Sequence, residues 1–318
     1  IDYISSVKQS DGTRYGGGNT NHDIAYIDEA YFIGNPLATY TNMIIYHVNY
    51  SKWSNIPLAH FKDFNLADSA IRVYIAKGME DPHKSMIIDV IGNCSVKARA
   101  GEDAVTGFET LTFTGSGTLD IYGGDGADAT EAGANGADGG IGIIANNVVV
   151  DMTGTLNVYG GNGGNGANGV NGLNGSPSYN GHSNRNAFGD GANGGNGTDG
   201  SNGGNGGKGG YAYKTMTVRI ECGAMIATGG KSGNGGNGGN GGNGGNGQES
   251  GGWGSTAGNG GNGGNGGNGG YTYVIASSDG TENITEIGGN ILRNDGASGT
   301  PGKGGAAGAA GSKGIHCS

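Results

Sequence analysis

Two patterns of apolar and polar positions recur along this chain, and each predicts a different backbone. The first is the short β-branched or aromatic stretch. Asn42-Met43-Ile44-Ile45-Tyr46-His47-Val48 and Ala70-Ile71-Arg72-Val73-Tyr74-Ile75 are bounded by Gly, Pro, Asn and Asp, and they read as strands. From residue 92 such stretches become copies of one unit. Gly117-Thr118-Leu119-Asp120-Ile121-Tyr122-Gly123-Gly124 aligns with Gly154-Thr155-Leu156-Asn157-Val158-Tyr159-Gly160-Gly161. Gly223-Ala224-Met225-Ile226-Ala227-Thr228-Gly229-Gly230 fits the same frame, and weaker copies start at Gly92 and Gly289. A second alternating segment precedes each copy: Leu111/Phe113, Val148/Val150, Met216/Val218/Ile220 and Ile284/Ile287. Each repeat therefore contributes two short strands meeting near a glycine corner, with one face buried. No amphipathic helix is evident; the best helical stretch, 56–69, is short and poorly patterned.

The second pattern has period three. Asn falls at 162, 165, 168, 171 and 174, again at 234, 237, 240, 243 and 246, and again at 259, 262, 265 and 268. In 296–314 it is Gly that recurs every third residue. Period three fits neither an α-helix nor a strand. It is the period of the extended left-handed polyproline II helix, which in glycine is polyglycine II, and a run of fifteen residues would reach about 47 Å. Such a helix has no internal hydrogen bonds, and ordering glycine costs about 1–2 kcal/mol per residue. The runs must therefore pack as a bundle and bond sideways. Gly on two of three faces permits close approach, with Asn pointing outward on the third. The Ala-bearing run, with Ala306, Ala307, Ala309 and Ala310, is the better candidate for a more buried place.

These patterns divide the chain into an N-terminal β-rich domain, 1–91, and a repeat domain, 92–318. The repeat starts lie 25, 37, 69 and 66 residues apart, and the difference is inserted glycine. The glycine-rich runs are 123–140, 160–175, 193–210, 233–247, 258–270 and 296–314. The fold class expected is all-β: a β domain followed by a β-solenoid-like strand stack with polyglycine II helices bundled beside it. Runs pair across the loops 176–192 and 248–257, and the run 123–140 changes phase near 130–134 as a shorter hairpin, which suggests about seven rods.

Short apolar strands, a Gly-Gly exit and long G-x-x-G-x-x runs together resemble the polyglycine II glycine-rich repeat proteins. The architecture is nearest to the adhesin tips of phage long tail fibres. Mycobacterial glycine-rich-repeat surface proteins and springtail antifreeze proteins share the run composition. The resemblance covers 92–314. In the phage adhesins, loops between rods carry receptor binding, which here implies 176–192 and 248–257. The regular Asn at every third residue departs from those adhesins, and an Asn face departs from the flat apolar or Thr rows of antifreeze proteins.

Composition agrees with a structural role. Gly contributes 77 of 318 residues and Asn 36, whereas Leu, Ile, Val and Phe sum to 51, too few for one large enzyme-like core. Net charge is −10 with no basic cluster, which argues against nucleic acid, and no apolar stretch is long enough to span a membrane. The chain begins at Ile1 rather than Met, as a processed terminus or a fragment would. Cys94, Cys222 and Cys317 allow one disulfide plus one thiol, or three thiols. Sequons at Asn49, Asn93, Asn196 and Asn283 are possible glycosylation sites if the chain is secreted.

Candidate chemistry is sparse. No metal-ligand spacing of His with Cys and no nucleophile elbow occurs, and no enzyme and no cofactor are expected. Gly123-Gly124-Asp125-Gly126-Ala127-Asp128 matches the opening of a calcium-binding nonapeptide, which makes Asp125 and Asp128 a weak calcium site, with Glu131 and Asp138 nearby. The competing reading is Asp replacing Asn on the outer face of a rod. Tyr179, His182, Arg185 and Phe188 in the first loop and Trp253 in the second are either surface contacts for a glycan or protein or caps on the rod ends. Ile1, Tyr3, Ile4 and Val7 form an apolar strand that either pairs with a neighbouring subunit or opens the N-terminal domain. The function expected is an extracellular structural subunit at a cell or virion surface, whose partners are copies of itself and which assembles into a filament or surface layer. A receptor- or glycan-binding adhesin is the alternative, and an ice-binding protein the third.

Overall fold

Alternation of apolar residues is realised as strands throughout the computed structural model, and no helix occurs among the described residues. These comprise 58–68, 71–72, 85–176, 195–246, 275–276 and 283–313, together with the backbone of short strands at 4–8, 14–15, 23–24, 29–33, 40–41 and 44–45. The stretch 56–69, the best helical candidate, forms the strands Leu58–Lys62 and Asn65–Ala67.

Strands stack in parallel along three ladders, so that each circuit of the chain lies on the one before. One ladder runs from Glu29–Ile33 through Leu58–Lys62, Ser85–Ile91 and Val105–Gly115, then through Ile143–Tyr159 and Thr217–Thr228 to Asn283–Glu286. A second runs from Tyr40–Thr41 through Asn65–Ala67, Asn93–Lys97 and Thr118–Tyr122, then along the later halves of the two long strands to Gly289–Asn294. A short third ladder runs through Ile71–Arg72, the starts of Val105–Gly115 and Ile143–Tyr159, and Tyr213–Lys214. The boundary expected at residue 92 falls between Ser85–Ile91 and Asn93–Lys97. Both strands pair backward into the first 91 residues and forward into the repeat, so the ladders cross it unbroken. Ile4–Lys8, which holds Ile4 and Val7 of the proposed assembly strand, lies antiparallel on Glu29–Ile33 of the same chain and also pairs with Arg14–Tyr15. Ile1 and Tyr3 lie outside the described residues.

Inward-facing residues of successive circuits form columns. Cys94, Leu119, Leu156 and Met225 are in register, as are Met86, Leu111, Val148 and Val218, and all eight are buried. This narrow core is why so little Leu, Ile, Val and Phe suffices. Four of the turns from the first ladder to the second take a left-handed residue, whereas the long strand Ile143–Tyr159 passes from one to the other without any. Gly92 (φ 73°), Gly115 (φ 100°) and Gly223 (φ 76°) supply it, while the earliest described corner uses Asp63 (φ 46°).

The glycine-rich runs leave from the end of the second ladder and return at the third. Outgoing runs are 123–129, 160–176, 229–246 and 295–313; return runs are 134–140 and 195–210. The expected run 258–270 lies outside the described residues. Between 123–129 and 134–140 the chain turns with an Ala134 N–H to Glu131 O bond of 2.9 Å. Every run is extended, and its bonds go to other runs with a three-residue period. Let Asn open each triplet. Gly166, in second position, donates to Asn234 O of the next outgoing run (2.8 Å), and Asn234 N donates back to Asn165 Oδ1 (2.9 Å). The third position, Gly164, donates sideways to Ala137 O and accepts from Gly207 N, each at 2.8 Å. Run 160–176 is thus bonded to four neighbours: 123–129, 134–140, 195–210 and 229–246.

The third position records which neighbours exist. A methyl on Gly161 or Gly164 would overlap the Gly124 or Ala127 carbonyl of the run beneath. Farther along the same face that lower run has ended, and the third position becomes Ala167, Val170 and Leu173, the last two 56% and 74% exposed. Their amides have also lost the lower return run, and side chains replace it: Val170 N donates to Ser201 Oγ (2.8 Å) and Leu173 N to Thr198 Oγ1 (2.7 Å). The same logic corrects the expectation for the Ala-rich run. Ala306, Ala307, Ala309 and Ala310 are exposed, not buried. Alanine is permitted on two faces of that run because, among the described residues, only its glycine face (Gly305, Gly308) lies against another run.

Candidate functional site

The outer face of the second ladder ends at one shared position, which in three circuits immediately precedes Gly-Gly. Lys97, Tyr122, Tyr159, Thr228 and Asn294 share that position in register. Identical repeats in a parallel stack bring identical side chains together. Tyr122 and Tyr159 accordingly stack with ring centroids 4.6 Å apart and planes 7° from parallel. Two residues earlier, Asn157 Nδ2 donates to Asp120 Oδ1 at 2.7 Å, which ties the same two strands together again.

Beside this column, where the strands pass into the outgoing runs, lies a groove of about 450 Å³. Its walls are the two tyrosines, Lys97 and Thr228 on the ladder side. On the run side stand Asp125, Asn162, Lys231 and Asp295 with glycine backbone. Burial, and then the Asp120 carboxylate, push the Tyr122 hydroxyl up to about 12. Tyr159 is raised by the same two causes. Both phenols therefore remain protonated, and able to donate hydrogen bonds, well above neutral pH.

The acidic residues of the nonapeptide match serve the lattice. Asp125 Oδ1 accepts from Asn162 N (2.7 Å), Asp128 Oδ1 from Asn165 N (2.6 Å) and Asp138 Oδ1 from Lys208 N (2.7 Å). Each takes the role that Asn takes in later runs. Among the described residues no three His, Cys, Asp or Glu side chains converge as a metal site. The contact residues Tyr179, His182, Arg185, Phe188 and Trp253, and the sequon Asn49, lie outside the described residues. Asn93, Asn196 and Asn283 are exposed. Cys94 and Cys222 are free thiols. Cys94 is buried, contacts Phe64 N and Ile91 O, and is pushed up to about 11 by that burial. Cys222 donates to Met152 O at 2.8 Å and is raised by desolvation and then by Asp151. Cys317 lies outside the described residues. Among those residues no helix is long and apolar enough to cross a membrane.

Sequence reasoning passed over the tyrosine groove. Its signal was present, since Tyr122 and Tyr159 occupy the same place in the two best-matched repeats, immediately before Gly-Gly.

No family model and no curated protein matches this chain. Among solved structures, the nine-helix polyproline type II bundle of the springtail antifreeze protein from Granisotoma rainieri is similar at 27% identity, over 48% of this chain and 93% of that one. The TM-score is 0.11, so the two backbones do not superpose and nothing about this chain follows from the match.

Proposed function

We propose that this chain is an extracellular structural protein: a β-solenoid flanked by a bundle of polyglycine II rods, which assembles with copies of itself into a filament or surface layer. The observation that carries the reading is the run lattice. Consecutive residues of one run bond to different neighbouring runs, and the Asn side chains add a further bond between layers. Such cross-bonding resists both bending and sliding, because any displacement of one run stretches bonds in several directions at once. A load-bearing or spacing element would use that stiffness. The run 295–313 supports assembly as well. It presents two exposed faces at the three-residue spacing that other runs use to bond each other.

Electron microscopy of the native protein over a concentration series, with no ligand added, tests the proposal. Filaments or sheets whose subunits continue the strand spacing of about 4.8 Å are expected. Discrete monomers at every concentration would refute assembly. The adhesin reading gains one specific support, the tyrosine-lined groove on the outer surface.

A further inference from the structure

We infer that the groove at the root of the glycine runs binds a neutral, linear oligosaccharide lying along the stacking axis. The inference goes beyond the structural role and does not depend on assembly, because the groove lies within one chain.

Length is the first argument. The lining comes from five successive layers, from Lys97 through the circuits of Tyr122 and Tyr159 to those of Lys231 and Asp295. Layers repeat at about 4.8 Å, so the groove extends about 19 Å along the stack. A compact metabolite would leave most of it empty, whereas a linear oligomer would meet a similar wall at each layer.

Charge is the second argument. Two ammonium groups, Lys97 and Lys231, are balanced by two carboxylates, Asp125 and Asp295. A polyanionic chain would meet both carboxylates in a protein of net charge −10, and a polycation would meet both lysines. A neutral polyol can accept from the lysines and donate to the carboxylates.

The third argument is the aromatic wall. The inner faces of Tyr122 and Tyr159 cover each other. In the next layer up, however, the residue in register with Tyr159 is Thr228, whose side chain is much shorter than a phenol ring. The outer part of the Tyr159 face is therefore left open towards the groove. An apolar face beside a ring of hydrogen-bonding groups is what a sugar ring presents in mirror image, with its C–H face and its hydroxyl rim.

Titration calorimetry of the full chain with cellohexaose, xylohexaose and laminarihexaose, each against its disaccharide, tests the inference. At least one hexasaccharide should bind in the micromolar to millimolar range, and its disaccharide at least about tenfold more weakly. Tyr159→Ala should weaken the hexasaccharide by about tenfold or more. Thr228→Arg, which fills the groove and covers the open ring face, should do the same. It stands in for Tyr159→Ala should that variant fail to fold. Absence of binding by all three hexasaccharides would overturn the inference. So would binding that survives Thr228→Arg unchanged, or tighter binding of a hyaluronan hexasaccharide than of any neutral one.

Discussion

Alanine walked along one face of one run should change the sign of its effect where the layer beneath ends. Positions 161, 164, 167, 170 and 173 are all third positions of run 160–176. At 164 a new methyl overlaps the Ala127 carbonyl, and at 161 the Gly124 carbonyl. Both obstacles are backbone, fixed by bonds such as Gly126 N to Asn162 O (2.6 Å) and Ala129 N to Asn165 O (2.9 Å), so neither can rotate aside. Overpacking of this kind costs about 1–3 kcal/mol. Gly→Ala recovers about 0.4–1 kcal/mol by restricting the unfolded chain. Gly164→Ala should therefore lose about 1–2 kcal/mol net. At 167 the native residue is already Ala; its amide still bonds Ala134 O (2.9 Å), but the lower outgoing run has ended, so Ala167→Gly should lose only the entropic part, about 0.4–1 kcal/mol. Val170→Ala removes part of an exposed side chain and should fall within about 0.5 kcal/mol of the parent. Scanning calorimetry or urea unfolding of the four variants, Gly161→Ala included, reads the order directly. A Gly164→Ala protein as stable as Val170→Ala would refute the claim that the lower run sets the residue choice. Gly207→Ala supplies an independent check on the return run, since its methyl would overlap the Ala137 carbonyl.

Three further outcomes follow from named contacts. Asn240→Ala removes the acceptor for Ala306 N (2.9 Å) and should cost about 0.5–1.5 kcal/mol, with hydrogen exchange faster at Ala306; Asn240→Asp keeps the oxygen and should leave that amide protected. Tyr122 holds its proton more tightly folded, to about 12, than at its ordinary value of 10.0. Its contribution is therefore complete below pH 10 and lost as pH rises from 10 towards 12, with Tyr159 shifted the same way. A phenolate absorbance titration alongside thermal unfolding should show both changes in that interval, and ordinary phenol titration in the native protein would contradict the burial of these phenols beside Asp120. Cys94, buried and pushed up to about 11, should resist a thiol-directed aromatic disulfide until the protein unfolds, and fast labelling of the native thiol would contradict its burial.

Copies made much of this molecule legible. Thr118–Tyr122 and the later half of Ile143–Tyr159 could be paired on paper because their residues match one for one. The period of three was equally plain, and it required lateral bonding whatever the partners were. Residues 1–91 were harder to read because their circuits carry no glycine excursion and the corner at Asp63 uses a left-handed aspartate where later circuits use glycine. Without those two signatures the strand pairing that continues across residue 92 was not legible. The Ala-rich run was misread for a different reason. In an ordinary core, small apolar residues mark burial, but on these faces of the glycine lattice an apolar Cβ marks a missing neighbour, whereas the buried Ser232 keeps its place by accepting from Gly209 N. Ala306, Ala307, Ala309 and Ala310 are exposed for the same reason that Val170 and Leu173 are.

Register explains how such different parts make one body. In the second ladder Thr118 pairs with Thr155 and Leu119 with Leu156, an offset of 37, and the outgoing runs keep it: Asn162 N meets Asp125, again 37 apart. The next layer pairs Thr155 with Ala224 at 69, and Lys231 N meets Asn162 at 69. The following one pairs Gly223 with Gly289 at 66, and Thr300 N meets Asn234 at 66. Return runs carry a different number. Asn205 N meets Asn135 at 70, and the strand they lead into pairs Ile143 with Tyr213, also 70. Each run therefore extends the ladder it adjoins without slipping. The one-residue difference between 70 and 69 is absorbed at the irregular corner near Cys222 and Gly223, where the pairing shifts. Because register passes unbroken from buried strands into exposed runs, the apolar columns and the Asn and Asp side-chain bonds between layers specify one and the same alignment. The alignment of the runs is thus continuous with that of the core, and a run can lengthen by whole triplets while the strands remain in place.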